Sequence, residues 1–274
     1  MPRVYNPNAY RYPNEQTILA VTVVLVLFVL LITATATVCL SFVFVLGILA
    51  IGYFASRSHH HALLADALVV SPQTAPELVP VIDRAKNRLQ VEPVQVFIVP
   101  NRTLNAYTFG LDSPKAIVLH SALFQLMDKE ELQFIIGHEL GHVDLGHTWL
   151  NTLIGGMAGI PSSFGVAAVL ELAFRSWNRA CEYSADRAGV LACSNPNKAI
   201  TALVKLEAGN DARTQAGILR AIQRIESQDD DLVNNLSELL ATHPMIINRI
   251  EQIRQFAVSE NYHHLQTLMN RNPG

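Results

Sequence analysis

Apolar positions along this chain recur at three spacings, and each spacing predicts a different kind of element. From Thr17 to Phe54 they are nearly continuous, with no charged side chain in the tract. One helix of that length would run about 57 Å, against a hydrocarbon core about 30 Å thick. Two membrane-spanning helices fit, with Thr33-Ala34-Thr35-Ala36-Thr37 as the tight connection; the alternative is one strongly tilted span, which would put the following domain on the other side of the membrane. Residues 75 to 90 instead repeat at helical spacing. Leu78, Val79, Ile82, Ala85 and Leu89 share one side, and Arg84, Lys86 and Arg88 lie elsewhere on a solvated face. Val94–Val99, Leu104–Phe109 and Lys115–His120 are short runs rich in β-branched and aromatic residues, which predicts strands. Pro100-Asn101 and Asp112-Ser113-Pro114 supply the turns. Leu132, Ile135, Ile136, Leu140 and Val143 return to helical spacing. Asp128 and Glu131 open that helix as a capping box, with Leu126 and Met127 placed to staple its entry.

Composition adds that half of the 274 residues are hydrophobic and only 16% are charged, enough for one sizeable domain beside a membrane element. A net charge of −3 gives no case for nucleic-acid binding. Cys39, Cys181 and Cys193 are too few and too scattered for a disulfide framework or a cysteine zinc site. Arg3 and Arg11 precede the apolar tract, Arg57 follows it, and the connection carries no basic residue. That bias places both ends of the hairpin on the cytoplasmic side of a bacterial-type inner or plasma membrane. The tract is much longer than the apolar core of a secretory signal peptide. His59, His60 and His61 follow it directly and are read as solvated.

The chemistry is concentrated at His138-Glu139-Leu140-Gly141-His142. Two histidines four apart lie one turn from each other on one face of a helix and can bind a single Zn²⁺. Glu139 can reach water at the metal's open position and act as general base. A tetrahedral catalytic zinc needs a third protein ligand. A glycine three residues beyond the second histidine and a histidine six beyond it would supply one arrangement, but Leu145 and Thr148 stand there, with Gly146 and His147 one register off. His147 is therefore read as a packing residue or a partner to a ligand. The other arrangement draws a glutamate from a later helix. Glu182 can ligate, and Asp186, one turn on, can accept the second ring N–H of a ligand histidine, His138, fixing its tautomer.

His138-Glu139-Leu140-Gly141-His142 with Gly146-His147, then Glu182 and Asp186, resembles the HtpX-like membrane-bound zinc metallopeptidases, gluzincins related to the CAAX prenyl proteases. The similarity runs from about Val94 to Arg249. It implies that Asn105-Ala106-Tyr107 forms an edge strand that receives substrate by strand addition. It also implies a role for Thr242-His243-Pro244 with Arg249. His243 would donate to the oxyanion, or serve as a turn residue before Pro244, and Arg249 would anchor His243 or the substrate. Tyr183 is a second candidate donor.

Leu150 to Leu170 is again uncharged, with Gly155 and Gly159 spaced as in a helix-pairing motif. His142 and Glu182 must meet at one metal, so the chain between them crosses a membrane zero times or twice. Two crossings need about 40 apolar residues, more than this interval holds, and Pro161-Ser162-Ser163 breaks the run. We read a buried or membrane-dipping helical hairpin that spans nothing, a departure from the HtpX pattern of two further spans. The whole is an α+β, mainly helical fold. A tail and transmembrane hairpin (1–56) precede a zincin-type domain with a small sheet (57–274). The expected activity is zinc-dependent endoproteolysis of unfolded or membrane-associated polypeptides, serving protein quality control by resemblance. The competing function is a noncatalytic zinc-stabilised membrane adaptor, which would have no use for Glu139.

Overall fold

The computed structural model describes residues 3–36, 67–110, 114–150, 165–227 and 246–271, with scattered helical positions between 43 and 62. After a short 3₁₀ turn at Pro7–Tyr10, helix α1 (Glu15–Ala36) begins. A small sheet holds β1 (Leu68–Val69), β2 (Val94–Val99), β3 (Ala106–Phe109) and β4 (Lys115–His120). Helix α2 (Val79–Leu89) lies between β1 and β2, and α3 (Leu123–Leu126) and α4 (Lys129–Asp144) follow the sheet. The rest is helical: α5 (Gly165–Cys193), α6 (Pro196–Ala208), α7 (Gln215–Ser227), α8 (Ile246–Ala257) and α9 (Glu260–Arg271).

The sheet order is β1-β2-β4-β3, with β2 parallel to β4 and β3 antiparallel to it. Ala116 to Leu119 of the inner strand β4 are all buried, as expected of a strand covered on both faces. Val96, Ile117 and Leu119 face the main helical core, and Phe97, Ala116 and Val118 form the second apolar layer. β3 ends the sheet. The expected strand from Leu104 starts two residues late, although Asn105 O still accepts from His120 N at 3.0 Å.

Three other expectations shift. The helix read from 75 begins at Val79, because Pro80 lacks an N–H and tolerates only the first turn. Arg88, assigned to a solvated face, donates to Leu191 O at 3.0 Å and to Asn270 Oδ1 at 2.9 Å. Thr33 to Ala36, expected in the connection of the hairpin, are the last turn of α1. The Thr33 hydroxyl donates back to Val29 O at 2.9 Å, a bond that lets threonine persist in a helix. The rest of the expected connection, Thr37, lies outside the described residues, as do residues 151–164 with Gly155, Gly159 and Pro161.

Helix α4 carries the capping box in full. Asp128 Oδ1 accepts from Glu130 N and Glu131 N, each at 3.0 Å, and Glu131 Oε2 accepts from Asp128 N at 2.8 Å. Every residue from Glu131 to His142 is buried, so the helix is enclosed on all sides rather than along one stripe. Its closest neighbour is α5, antiparallel to it. A Cβ at Gly137 would lie 2.4 Å from Ala192 Cβ and 3.0 Å from Gly189 Cα; one at Gly141 would lie 2.6 Å from Ala188 Cβ. Small residues on both helices thus bring the backbones together, and Gln133 Nε2 donates to Ala192 O at 2.7 Å across the contact. This crossing sets the register of His138 and His142 against the acids of α5. Gly137→Val should force the helices apart and cost about 1–3 kcal/mol. Thermal unfolding followed by circular dichroism would register it, and an unchanged midpoint would contradict so close an approach.

Candidate metal centre and cleft

His138 and His142 leave α4 one turn apart, and Glu182 leaves α5 opposite them. The His138 and His142 Nε2 atoms are 3.2 Å apart. Glu182 Oε2 lies 3.5 Å from His138 Nε2, and Oε1 lies 3.5 Å from His142 Nε2. A tetrahedral zinc with bonds of about 2.0–2.1 Å has ligand–ligand edges of about 3.3–3.4 Å. The two Nε2 atoms stand close to that separation, each lies near it from one of the two Glu182 oxygens, and the donor set of two imidazoles and a carboxylate suits zinc. The trio is one of two His/Cys/Asp/Glu groups among the described residues compact enough for a metal ion; the other is Glu15, His147 and Cys181.

Both histidines are held from behind. Asp186 Oδ1 lies 3.0 Å from His138 Nδ1, the arrangement expected from sequence, and it turns Nε2 toward the cleft. Arg249 from α8 forks onto Asp186, with Nε donating to Oδ2 at 2.8 Å and Nη2 to Oδ1 at 2.6 Å. Its Nη1 is also 3.4 Å from Glu182 Oε2. Arg249 therefore anchors the two acids of α5, whereas the resemblance implied that it would anchor His243 or the substrate. His142 Nδ1 faces His147 Nδ1 at 3.1 Å.

Burial alone would raise the Glu182 carboxyl. The His142 hydrogen bond and the Arg249 charge outweigh it and hold the group well below the usual carboxylate range. Burial likewise opposes ionisation of Asp186, and Arg249 then His138 bring it down. Burial disfavours the His142 cation, but Glu182 raises it above its ordinary value. His147 goes the other way: burial pushes it down to about 4, against the pull of Glu15.

A cavity of about 360 Å³ opens on this centre, lined by His138, Glu139, His142, Glu182 and Arg249 on one side and Asn105 to Thr108 on the other. The strand segment expected from sequence thus faces the histidines across the cleft. Sequence reasoning missed Thr108, whose hydroxyl donates to Glu139 Oε2. The strand's place opposite the zinc helix was the only available signal, and no local pattern carries it. Tyr183 stacks on Tyr12, with ring centroids 4.9 Å apart, and does not line the cavity. His243 lies outside the described residues.

The profile described as Peptidase family M48 matches residues 72–257. The chain is 27% identical over 223 residues to the plastoglobule-localized metallopeptidase 48 of Arabidopsis thaliana chloroplasts, covering 76% of this chain and 64% of that one. It is 25% identical over 236 residues to the Pyrococcus abyssi protease HtpX homolog (70% and 78% covered). It is 26% identical over 242 residues to that of Salinibacter ruber (80% and 87%). The chain spans just under two thirds of the Arabidopsis relative. The crystal structure of S. mikatae Ste24p superposes at a TM-score of 0.47 with 19% identity, over 78% of this chain and 57% of that one, too loosely to argue from.

Asp186→Asn tests the support behind His138. It leaves Arg249 buried without its closest counter-charge, and partners of this kind are worth about 10–100-fold in metal affinity. Competition with a chromogenic chelator should show a zinc affinity lower by that factor.

Proposed function

We propose, from the premise that this chain belongs to peptidase family M48, that it is a membrane-anchored zinc endopeptidase. His138, His142 and Glu182 would hold one zinc ion, and Glu139 would act as general base. The observation that carries this reading is the convergence of both histidine Nε2 atoms on the Glu182 carboxylate, each 3.5 Å from one of its two oxygens, beside a glutamate facing the same cavity. When bound, the zinc supplies Lewis acidity to the scissile carbonyl and makes a water nucleophile accessible near neutral pH.

The protein's own groups do the rest. Glu139 takes the proton of the attacking water and returns it to the leaving nitrogen. The Thr108 hydroxyl occupies Glu139 Oε2, holding the carboxylate still and leaving Oε1 for that proton. Asn105, Ala106 and Tyr107 would receive the polypeptide on the end of the sheet, where backbone hydrogen bonds bind it with little side-chain preference. Arg249 and Asp186 fix the ligands. His243, by resemblance, is the second donor to the oxyanion. Unfolded or membrane-associated proteins are the proposed substrates, with quality control the role. The adaptor reading finds no support in a cleft where Glu139 has a hydrogen-bonded partner and an open face.

The membrane anchor rests on α1. Glu15–Ala34 is 20 residues long with a mean hydropathy of 3.0, and only 11% of its most apolar stretch is buried. Twenty residues span about 30 Å as a helix, the thickness of a hydrocarbon core. What supports a return crossing is the tail before it. Arg3 pairs with Asp144, Arg11 donates to Leu145 O at 3.0 Å, and Asn261 donates to Ala9 O at 2.7 Å. The tail and the domain that resumes at Leu68 therefore share one side, so a crossing by α1 must be reversed in between. Ile18, Leu19 and Val26 of α1 also flank Phe174 and Trp177 of α5, which favours a membrane-dipping start to α5. The positive flanks support a domain on the cytoplasmic side.

Glu139→Gln should keep one zinc per chain and lose casein cleavage in detergent by about 10²–10⁴-fold; retained cleavage would end the general-base assignment. Glu182→Ala should lose the metal. A cysteine at position 57, with Cys39 replaced by serine, should react with an impermeant maleimide only after cell lysis. Labelling in intact cells would reverse the orientation.

A further inference from the structure

We infer that Glu15, the first residue of α1, is a positioning residue for the zinc ligand His142 and acts on it through His147. The inference rests on the zinc site proposed above and adds a carboxylate from the membrane anchor to it. Glu15 and His147 are each 1% exposed. His147 Nε2 lies 3.0 Å from Glu15 Oε1, and His147 Nδ1 lies 3.1 Å from His142 Nδ1. The carboxylate and the two imidazoles thus form one unbroken series of polar contacts that ends on the ring of His142.

The proton positions along that series follow from the chemistry of each group. A carboxylate only accepts, so the His147 nitrogen facing Glu15 must carry the proton. In a neutral ring the other nitrogen, Nδ1, then has a lone pair. The nitrogen it faces, His142 Nδ1, must donate, which leaves the His142 Nε2 lone pair free and aimed beside His138 Nε2. The carboxylate thus selects the ligating tautomer of a ring it does not touch. Without it His147 can present a proton to His142, and His142 is then drawn to the tautomer that cannot ligate at Nε2.

The surroundings hold Glu15 to this task. Its Oε2 accepts from the buried Ser184 hydroxyl, and its Oε1 also accepts from Arg11. Tyr12 N donates to the same Ser184 oxygen at 2.7 Å. Asn14 adopts φ 65°, a left-handed conformation that asparagine tolerates, as the chain turns into α1. The positive end of α1 favours a carboxylate at its first turn. Glu15, His147 and Cys181 are close enough to hold a metal of their own. That is disfavoured, because the Glu15 oxygens and both His147 nitrogens are already engaged and burial pushes the Cys181 thiol up.

The test uses the full chain in detergent and reads metal binding rather than proteolysis. Glu15→Gln and His147→Phe should each weaken zinc binding about tenfold or more in chelator competition, and shift the visible bands of the Co²⁺-substituted protein. Because Glu15 acts through His147, the double variant should bind zinc no more weakly than His147→Phe alone. Arg3→Ala loosens the tail without touching that series and should leave both readouts at wild-type values. The inference falls if Glu15→Gln and His147→Phe bind zinc like wild type. It also falls if Arg3→Ala weakens zinc as much as Glu15→Gln, or if the two substitutions are additive. A wild-type chain that takes up no zinc would instead overturn the metallopeptidase reading, and this inference with it.

Discussion

The site depends on how closely α4 and α5 approach each other. Helices packed through ordinary side chains sit about 8–10 Å apart. A glutamate from one would then have little freedom in how it met two histidines of the other. Here Gly137 and Gly141 lie against Ala185, Ala188, Gly189 and Ala192, and the antiparallel register pairs His142 with Glu182 and His138 with Asp186. Two of these small residues stand inside or beside the zinc motif itself. Gly141 is one of its interior positions and Gly137 immediately precedes it. The motif therefore specifies a helix crossing as well as two histidines and a glutamate on one face.

Bringing acids into so enclosed a place has an electrostatic consequence. The cleft gathers the carboxylates of Glu139, Glu182 and Asp186 around one guanidinium, Arg249. With the histidines neutral, three negative charges against one positive leave two uncompensated, and a divalent cation cancels them. Buried charges are tolerated when paired, so a divalent cation held there would complete the neutralisation. The raised proton affinity of His142 beside Glu182 expresses the same deficit, because a proton partly replaces the missing positive charge. Arg249 arrives from α8, the element after the region that contains His243, so the C-terminal helices are part of the centre.

What could be read from sequence divides by distance along the chain. His138, Glu139 and His142 are neighbours, and the Asp128–Glu131 cap joins residues three apart, so local patterns reveal them. Glu182 and Asp186 lie some forty residues on and were found because zinc requires a third ligand and a histidine requires a second partner. Thr108, Arg88 and Glu15 were assigned no such role. Thr108 reaches Glu139 from a strand, Arg88 reaches a carbonyl on α5, and Glu15 reaches His147 across 132 positions; no spacing rule predicts such pairs. Two boundary errors were avoidable on backbone grounds. Pro80 forbids a helix through 75–83, and a threonine-alanine run can stay helical by back-bonding. The one-sided burial expected for α4 was wrong because neighbours from both directions of the sequence enclose it.

The position of Glu15 bears on how the anchor and the active site are related. If α1 crosses a bilayer, its first residue marks the depth at which polar surroundings give way to lipid. That residue is separated from the metal ligand His142 by one imidazole. The zinc centre then lies at the membrane surface by construction, not at the end of a flexible tether. The link from Glu15 to His142 has no loop in it that could lengthen. On the proposed function, a cleft fixed at that height would favour polypeptide segments lying on or leaving the bilayer over distant soluble chains. β3, at the open end of the sheet, would receive them in extended form. On the inference drawn above, movement of α1 relative to the domain would be transmitted to the tautomer of His142, and the seating of the anchor would bear on metal binding.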